Sequence, residues 1–508
     1  MIETAERSET LRRAGAAILS LAVSELLGKV ATFLMFLALA RLLHVVEFGV
    51  LSFGLSLGLL LAVVSSLGLD ARVVQLGSSR PDLLDRCYGA LVAIRALLGA
   101  AIVGVTAVVL FTTTDTPEAT AILLLVASGV LDTVSDASRA ACGARQRQHL
   151  SALVLVVQRF AALALSVGLV LGTRSAGYAA FGYFLATCVG AIGMYVAARR
   201  AGARPRFRGS RPEARLVLEA TPVLGLGAIA SMAVFRIDAA LIGLLLGTAA
   251  VGVYGAGYRI FESVLFVSWT LSRVYMPAIA SRPDEAHVRA WTRRGLVMVA
   301  AVYLPYGVVM ALRGDDLIGA LFGPEYVHGG VMLGLAAAPL LFGVMHLGAS
   351  VLLALRPDPV VLLASVAALV LNVSMNVVLL PVWGITAAAV ATCCAFLLQS
   401  VILMAALTRI ARGILPGKAL AAVVLASACA GAVAEGIGNL ALAVPGSAIV
   451  FLLVWVGTSR LLDPDGFADV RSMVFRAPAT SPAEVIEPEP PVSCAAATGS
   501  SARRGTAG

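Results

Sequence analysis

Fourteen apolar segments, most of them longer than 18 residues, dominate this chain of 508 residues. A segment of this length crosses a bilayer as a single α-helix, since each residue adds about 1.5 Å of rise. A membrane-spanning β-barrel would instead show short segments of alternating hydrophobicity. Because 59% of the residues are hydrophobic and only 13% are charged, the sequence predicts an all-α polytopic membrane protein with about 14 transmembrane helices.

The net charge of +9 comes almost entirely from arginine, since Lys29 and Lys418 are the only lysines. With fourteen spans, nearly all of these arginines fall in loops on one side of the membrane. The opposite side has only Arg41, Arg174 and Arg313. Because basic loops remain in the cytoplasm, this asymmetry predicts a multi-pass protein with both termini cytoplasmic. The basic charge is thereby explained without a nucleic-acid partner.

Sites for metals, cofactors and catalysis are not indicated by the sequence. The seven cysteines and five histidines are scattered, without the spacing of a disulfide framework or a zinc site. There is no Walker A sequence for ATP hydrolysis. The loops on the less basic side are short, which leaves no room for a catalytic domain outside the membrane. We therefore expect no metal, no cofactor and no enzymatic activity.

An internal repeat divides the chain. The segment LLHVVEFGVLSFG at 42–54 matches LLGTAAVGVYGAG at 245–257 at an offset of 203, and LATCVGA at 185–191 matches VATCCAF at 390–396 at an offset of 205. Each match has the same position within a unit of six spans. Since six is even, the two units enter the membrane in the same orientation. The repeat predicts two six-helix lobes that face each other across a central cavity, plus two extra C-terminal helices.

The repeat also sets the predicted domain boundaries. These are an N-terminal lobe with spans 1–6 (1–198), a basic cytoplasmic linker (199–215), a C-terminal lobe with spans 7–12 (216–408), spans 13 and 14 (409–462) and a disordered cytoplasmic tail (463–508). The first apolar run lacks a small-residue cleavage site, so we interpret it as an uncleaved first helix.

Charged residues within the spans are the candidate site residues. A charge at the bilayer centre costs about 2.5 to 3.5 kcal/mol, so such residues usually face a wet cavity or pair inside the bundle. We predict that the cavity binds substrate through five basic residues, Lys29, Arg95, Arg159, Arg236 and Arg259. Five acidic residues are candidates for ion coupling or charge balance, namely Glu25, Asp132, Asp136, Asp238 and Glu262.

Some of these residues have a purely structural alternative. Glu25 and Lys29 are four residues apart on one helix face, where they could pair with each other instead of lining the cavity. Asp132 and Asp136 share a face of the fourth span, and they could neutralise the buried arginines of the N-terminal lobe rather than bind an ion.

Arg236 and Asp238 are two residues apart, which on an α-helix corresponds to about 200°. They therefore cannot both face the cavity. We expect one to point inward and the other to pair with a neighbouring helix, with Arg259 and Glu262 of the eighth span as candidate partners.

Four segments carry a family resemblance: ALARLLHVVEFGVLSFGLSL at 38–57, DAALIGLLLGTAAVGVYGAGYRI at 238–260, LFGPEYVHGG at 321–330 and LNVSMNVVLLPVWGITAAAVAT at 371–392. In this order and spacing the chain resembles the O-antigen and exopolysaccharide flippases of the multidrug/oligosaccharidyl-lipid/polysaccharide exporter superfamily. The resemblance extends over about residues 11–412, and the last two spans fit by number only.

The resemblance implies a flippase in the bacterial cytoplasmic membrane. Its substrate would be an oligosaccharide linked to undecaprenyl diphosphate, moved from the cytoplasmic to the outer leaflet by alternating access for cell-surface polysaccharide synthesis. Candidate partners are this lipid-linked glycan, membrane lipids, a polysaccharide polymerase and assembly proteins.

Two other functions remain open at this point. One is an ion-coupled multidrug and toxin extrusion exporter, which shares the six-span lobes but usually has twelve spans and handles cationic drugs. The other is a membrane polymerase or ligase acting on the same glycans, which the short external loops disfavour.

Overall fold

The computed structural model describes residues 24–66, 68–207, 211–218, 221–356 and 359–464. Within these ranges 13 helical segments are long and apolar enough to cross a membrane. They are preceded by the described part of a further helix, residues 24–42. The prediction of an all-α protein with about 14 spans is confirmed. The predicted start of the first span (14–23) and almost all of the predicted tail (465–508) lie outside the described residues.

The helices of the described residues follow in chain order. They are α1 (24–42), α2 (Val45–Ser66), α3 (Asp70–Ser79), α4 (Leu84–Thr113), α5 (Thr116–Ala144), α6 (Gln148–Thr173), α7 (Ala176–Arg200), α8 (Arg211–Leu218), α9 (Thr221–Leu246), α10 (Thr248–Ser263), α11 (Phe266–Ala280), α12 (Glu285–Leu321), α13 (Val331–Leu335), α14 (Ala338–Leu355), α15 (Pro359–Trp383), α16 (Ile385–Ile410), α17 (Gly417–Gly436) and α18 (Leu440–Leu462), with a 3₁₀ turn at Pro324–Tyr326. A helix satisfies all of its internal backbone hydrogen bonds, which hydrocarbon demands.

Successive spans cross in alternate directions, so their connections lie at two faces. The basic face contains the connections at 145–147, 201–207, 281–284 and 411–416. The opposite face contains those at 43–44, 174–175, 322–330 and 437–439. Helices α3 and α8 have 10 and 8 residues and are too short to span, so they belong to the basic face.

The predicted linker is attached to the start of α4. The Asp85 carboxylate accepts a hydrogen bond from the backbone N–H of Arg204 at 3.0 Å, and Arg86 pairs with Glu213 at 3.2 Å. Val217 of α8 is fully buried in the same cluster. The described part of the linker therefore packs against the start of α4.

The helices pack in two groups. Helices α2 and α4–α7 contact one another, and so do helices α9–α16, while α17 and α18 pack together and against α12. We propose that these groups are the two lobes and the appendage predicted from the repeat. Below, the first lobe is α1–α7 and the second lobe is α9–α16. Extensive contacts between them are made by α2 with α9 and α10.

The crossing of α2 and α10 has the symmetry that the repeat predicts. A methyl group added to Gly49 would overlap the carbonyl oxygen of Thr248, and one added to Gly252 would lie 2.5 Å from the carbonyl oxygen of Val45. Gly49 and Gly252 are equivalent at the offset of 203, and so are Val45 and Thr248. Equivalent residues that make reciprocal contacts are the signature of a two-fold axis. Only glycine permits so close an approach of the two backbones.

Aromatic side chains also join the lobes near the opposite face. Phe36 and Phe48 of the first lobe lie 6.3 Å apart, and Phe48 lies 5.4 Å from Tyr326 of the second lobe. Phe322 and Tyr326 are fully buried, and the Tyr326 hydroxyl donates to the carbonyl oxygen of Ala40 at 3.1 Å. The two lobes are therefore in contact on this side.

Candidate functional site

A carboxylate shared by two arginines lies where the lobes diverge. Glu262, near the end of α10, accepts hydrogen bonds from Arg236 of α9 at 2.5 Å and from Arg259 at 2.7 Å. The two arginine side chains are 12% exposed and that of Glu262 is 20% exposed. Arg236 is separated from Asp238 and pairs with a residue of the neighbouring helix. The helical repeat places Arg259 and Glu262 on one face.

The first lobe contributes Lys29 and Phe36 from α1 to the same region. The Lys29 ammonium lies 4.7 Å from the ring centre of Trp269 in α11, and it is within electrostatic range of Glu262 and both arginines. The Arg259 guanidinium lies 3.7 Å from the ring centre of Phe36. We name Lys29, Arg236, Arg259 and Glu262 the cationic cluster. It carries three positive charges against one negative charge.

Glu25 does not pair with Lys29. Its carboxylate instead contacts Arg273 of α11 at 2.5 Å, and both of these side chains are about half exposed. The pair joins α1 to α11 near the basic face.

Arg95, a predicted substrate ligand, is not in the cluster. It is fully buried and donates to the carbonyl oxygens of Thr133 and Ser66 at 2.6 and 3.2 Å, and it pairs with Asp70 at 2.8 Å. These contacts tie α4 to the end of α2, the start of α3 and the middle of α5. They leave Arg95 a structural role.

Arg159 of α6 lies beside α1. Its Cγ atom is 3.5 Å from the position that a Cβ on Gly28 would take, and its guanidinium donates to the Tyr183 hydroxyl at 3.1 Å. Lys29 is within electrostatic range. The structure therefore brings Arg159 near the cationic cluster from the first lobe.

Asp132 and Asp136 of α5, the fourth span, form no ion pair with Arg95 or Arg159 in the described part of the chain. Asp132 accepts a hydrogen bond from Gln158 at 2.7 Å, and Asp136 pairs with Arg139 at 2.7 Å, one turn along the same helix. Both carboxylates are held by local partners. This arrangement favours charge balance within the first lobe.

Asp238 lies in a separate, fully enclosed site of the second lobe. It is 1% exposed and accepts hydrogen bonds from Tyr254 at 3.1 Å, from Asn376 at 2.8 Å and from the hydroxyl of Thr392. No basic side chain pairs with it among the described residues. A buried ionised carboxylate without a counter-charge is energetically costly, and these three donors offset part of that cost.

Several of these contacts were not predicted from the sequence. Trp269 and Phe36 give no signal of their own, because aromatic residues are common in spans. Tyr254 and Thr392 do lie in the repeated segments, at 245–257 and 390–396. Their position in the repeated segments could have marked both residues as candidates. In the described part of the chain, no group of three His, Cys, Asp or Glu residues could hold a metal ion.

Solved structures of transporters share this fold. The lipid II flippase MurJ in an inward closed conformation matches with a TM-score of 0.74 over 88% of this chain and 99% of its own, at 11% identity. The MATE multidrug transporter DinF-BH matches with a TM-score of 0.59 over 78% of this chain and 94% of its own, at 13% identity. At such low identity these matches establish the fold alone.

Two proteins of Haloferax volcanii are similar in sequence. The probable low-salt glycan biosynthesis flippase Agl15 is 25% identical over 170 residues, which is 32% of this chain and 36% of the relative. The probable flippase AglR is 27% identical over 191 residues, 36% of this chain and 40% of the relative. The chain thus aligns with well under half of the length of either relative.

A family profile covers more of the sequence. Residues 38–329, more than half of the chain, match the profile of the family described as polysaccharide biosynthesis protein. The match includes the first lobe from the end of α1, both glycines of the reciprocal crossing and the arginines and carboxylate of the cationic cluster. The chain therefore belongs to the polysaccharide biosynthesis protein family.

Proposed function

We propose that this protein is a flippase for a lipid-linked oligosaccharide, carried on undecaprenyl diphosphate, which it moves from the cytoplasmic to the outer leaflet. The observation that carries the proposal is the cationic cluster. It lies between the two lobes, beneath a closed opposite face, where a headgroup held by both lobes could be passed across the membrane.

Charge complementarity supports a diphosphate headgroup. A diphosphate joined to a lipid and a sugar carries two negative charges, and the cationic cluster has three positive charges and one negative charge. Binding would leave the site close to neutral. Near-neutrality lowers the cost of enclosing the headgroup in a region of low dielectric constant. Arg159 adds a further positive charge from the first lobe.

We propose that the basic face is cytoplasmic, in keeping with the positive-inside rule. In this orientation the described conformation receives substrate from the cytoplasm, because its closure lies at the opposite face. Separation of α2 from α10 and of the aromatic contacts around Tyr326 would open the outer side. Rocking of one lobe against the other is the motion expected for two repeats in parallel orientation.

Asp238 is the proposed coupling residue. A proton or a monovalent cation bound there would neutralise the buried carboxylate. Its hydrogen-bond donors come from α10, α15 and α16, so occupancy of this site would affect how α9 packs against these helices. The names of the two Haloferax volcanii relatives and the MurJ-like fold support transport of a lipid-linked glycan.

Reconstitution into vesicles tests the function. Purified protein is placed in proteoliposomes that contain a fluorescent undecaprenyl diphosphate-linked glycan, and a membrane-impermeant quencher reports which leaflet holds the label. We expect protein-dependent movement between leaflets. The Lys29→Ala variant should slow it at least tenfold, while Lys418→Ala, which alters the only other lysine, should not.

Three results would contradict the proposal. Efflux of a cationic dye without glycan movement would favour a multidrug exporter, and formation of new glycosidic bonds would favour an enzyme. Equal rates for Lys29→Ala and the unmodified protein would remove the role of the cationic cluster.

A further inference from the structure

One arginine at the opposite face reaches from the first lobe to the second. The guanidinium of Arg41, at the end of α1, donates from Nε to the carbonyl oxygen of Leu321 at 2.7 Å and from Nη2 to that of Ala320. Both carbonyls belong to the last turn of α12. The last four carbonyls of a helix have no partner within the helix, and their partial negative charge favours a cation. Arg41 therefore caps a helix of the second lobe.

The loop after α12 leaves an acceptor for this arginine. The carbonyl oxygen of Ala320 would accept from the backbone four residues later if the helix continued, but that residue is Pro324, which has no N–H. The chain instead turns through the 3₁₀ segment Pro324–Tyr326, which follows Gly323 at a φ of 130°, a value that favours glycine. The sequence of the loop thus creates the acceptor that the guanidinium uses.

A hydrogen bond in the other direction joins the same two segments. The Tyr326 hydroxyl, at the end of this turn, donates to the carbonyl oxygen of Ala40, the residue before Arg41. Tyr326 is fully buried, whereas Arg41 is exposed at the opposite face. The ends of α1 and α12 are therefore joined by three hydrogen bonds, of which one is buried and two are accessible to water.

The contacts of Arg41 are specific to one half of the repeat and to one arginine of this face. Its equivalent at the offset of 203 is Leu244, which is apolar and 75% exposed. Arg313 also caps a helix, since it donates to the carbonyl oxygens of Ala434 and Ile437 at the end of α17, both at 2.7 Å. That cap joins α12 to the appendage. Unlike the glycine crossing, the contact made by Arg41 has no symmetric copy.

We propose that Arg41 and Tyr326 form an interlobe latch, which stabilises the described conformation and breaks each time the lobes separate at the opposite face. The inference rests on the proposed rocking of the lobes, and it does not depend on the chemistry of the substrate. Because Arg41 is exposed, water can replace its two hydrogen bonds at a small cost in free energy. A contact of this kind suits a step that is repeated in every transport cycle.

Hydrogen–deuterium exchange of the purified full chain in lipid nanodiscs tests the latch without any substrate. Arg41→Gln should make the amides of 40–48 and 318–330 exchange roughly threefold to tenfold faster, because opening at this face becomes more frequent. Tyr326→Phe keeps the ring, removes only the hydroxyl and should act on the same segments. Amides of the basic face, at 281–284 and 411–416, should not exchange faster in either variant.

Two controls separate the latch from a helix cap that is only structural. Arg174→Gln removes an exposed arginine of the same face whose backbone caps its own helix, and exchange should stay unchanged. Arg313→Gln should speed exchange at the end of α17 and leave 40–48 unchanged. Thermal unfolding should show that each variant folds.

Unchanged exchange in both Arg41→Gln and Tyr326→Phe would overturn the latch. Equal acceleration at the two faces would also overturn it, because it would indicate a general loss of stability. The expected exchange pattern in a chain that moves no lipid-linked glycan would support the latch and overturn the proposed function alone.

Discussion

Replacing Glu262 with glutamine removes the single negative charge of the cationic cluster and keeps the shape of the side chain. Two buried ion pairs are lost, with Arg236 at 2.5 Å and Arg259 at 2.7 Å, while Lys29 remains nearby. Removing one partner from a buried pair costs about 3–5 kcal/mol, since the other charge is left uncompensated. Because glutamine still accepts one hydrogen bond, we expect the lower end, about 3 kcal/mol.

A loss of about 3 kcal/mol is large beside a typical folding free energy of roughly 5–15 kcal/mol, and it should lower the thermal unfolding temperature measurably. Undecaprenyl diphosphate should restore much of the loss, because its phosphates replace the missing anion. The expected result is a larger ligand-induced rise in unfolding temperature for Glu262→Gln than for the unmodified protein. Glu25→Gln is the matched control, as the exposed pair with Arg273 is worth less than about 1 kcal/mol.

The assay is thermal unfolding in detergent or nanodiscs, with and without the lipid. An unfolding temperature for Glu262→Gln equal to that of the unmodified protein would refute the assignment of Glu262 as the internal counter-charge. An equal lipid-induced rise in both proteins would show that the lipid phosphates bind elsewhere.

Three further substitutions separate coupling, gating and structural roles. Asp238→Asn should retain the fold and abolish the response of vesicle transport to a proton or sodium gradient; a gradient response like that of the unmodified protein would exclude this residue as the coupling site. Gly49→Ala should prevent α2 from approaching α10, so that a cysteine introduced in the cavity reacts with a thiol reagent added at either face. If the cysteine stays protected from reagent added at the opposite face, the crossing of α2 and α10 is not what closes that face. Arg95→Ala should lower stability by about 1.5–3 kcal/mol, since the carbonyl oxygens of Thr133 and Ser66 lose their charged donor while the exposed Asp70 is rehydrated; a normal unfolding temperature with lost lipid binding would instead place Arg95 in the cavity.

Part of the site was predictable from helix geometry. The two-residue spacing of Arg236 and Asp238 separates their directions by about 200°, and the structure places them in different surroundings. Arg259 and Glu262, one turn apart, share the face on which Glu262 meets Arg236. These inferences required only the angle per residue, because they concern groups on one helix or on adjacent helices.

Other assignments depended on neighbours that the sequence does not place. Arg95 and Arg159 both look like buried cations of the first lobe, yet only Arg159 lies beside α1, while Arg95 holds α2, α3, α4 and α5 together.

The sequence by itself determined the membrane class, the number of spans and the equivalence of the two halves. Length, hydropathy and the repeat offset are properties of the linear chain, and the bilayer imposes helices on any apolar segment of this length. The tertiary structure decided which charges meet. Each helix is apolar around most of its circumference, so rotation about its axis is set by packing of side chains such as Phe36 and by glycines such as Gly49 and Gly252. Those contacts bring Lys29, Arg236, Arg259 and Glu262 together and leave Arg95 outside.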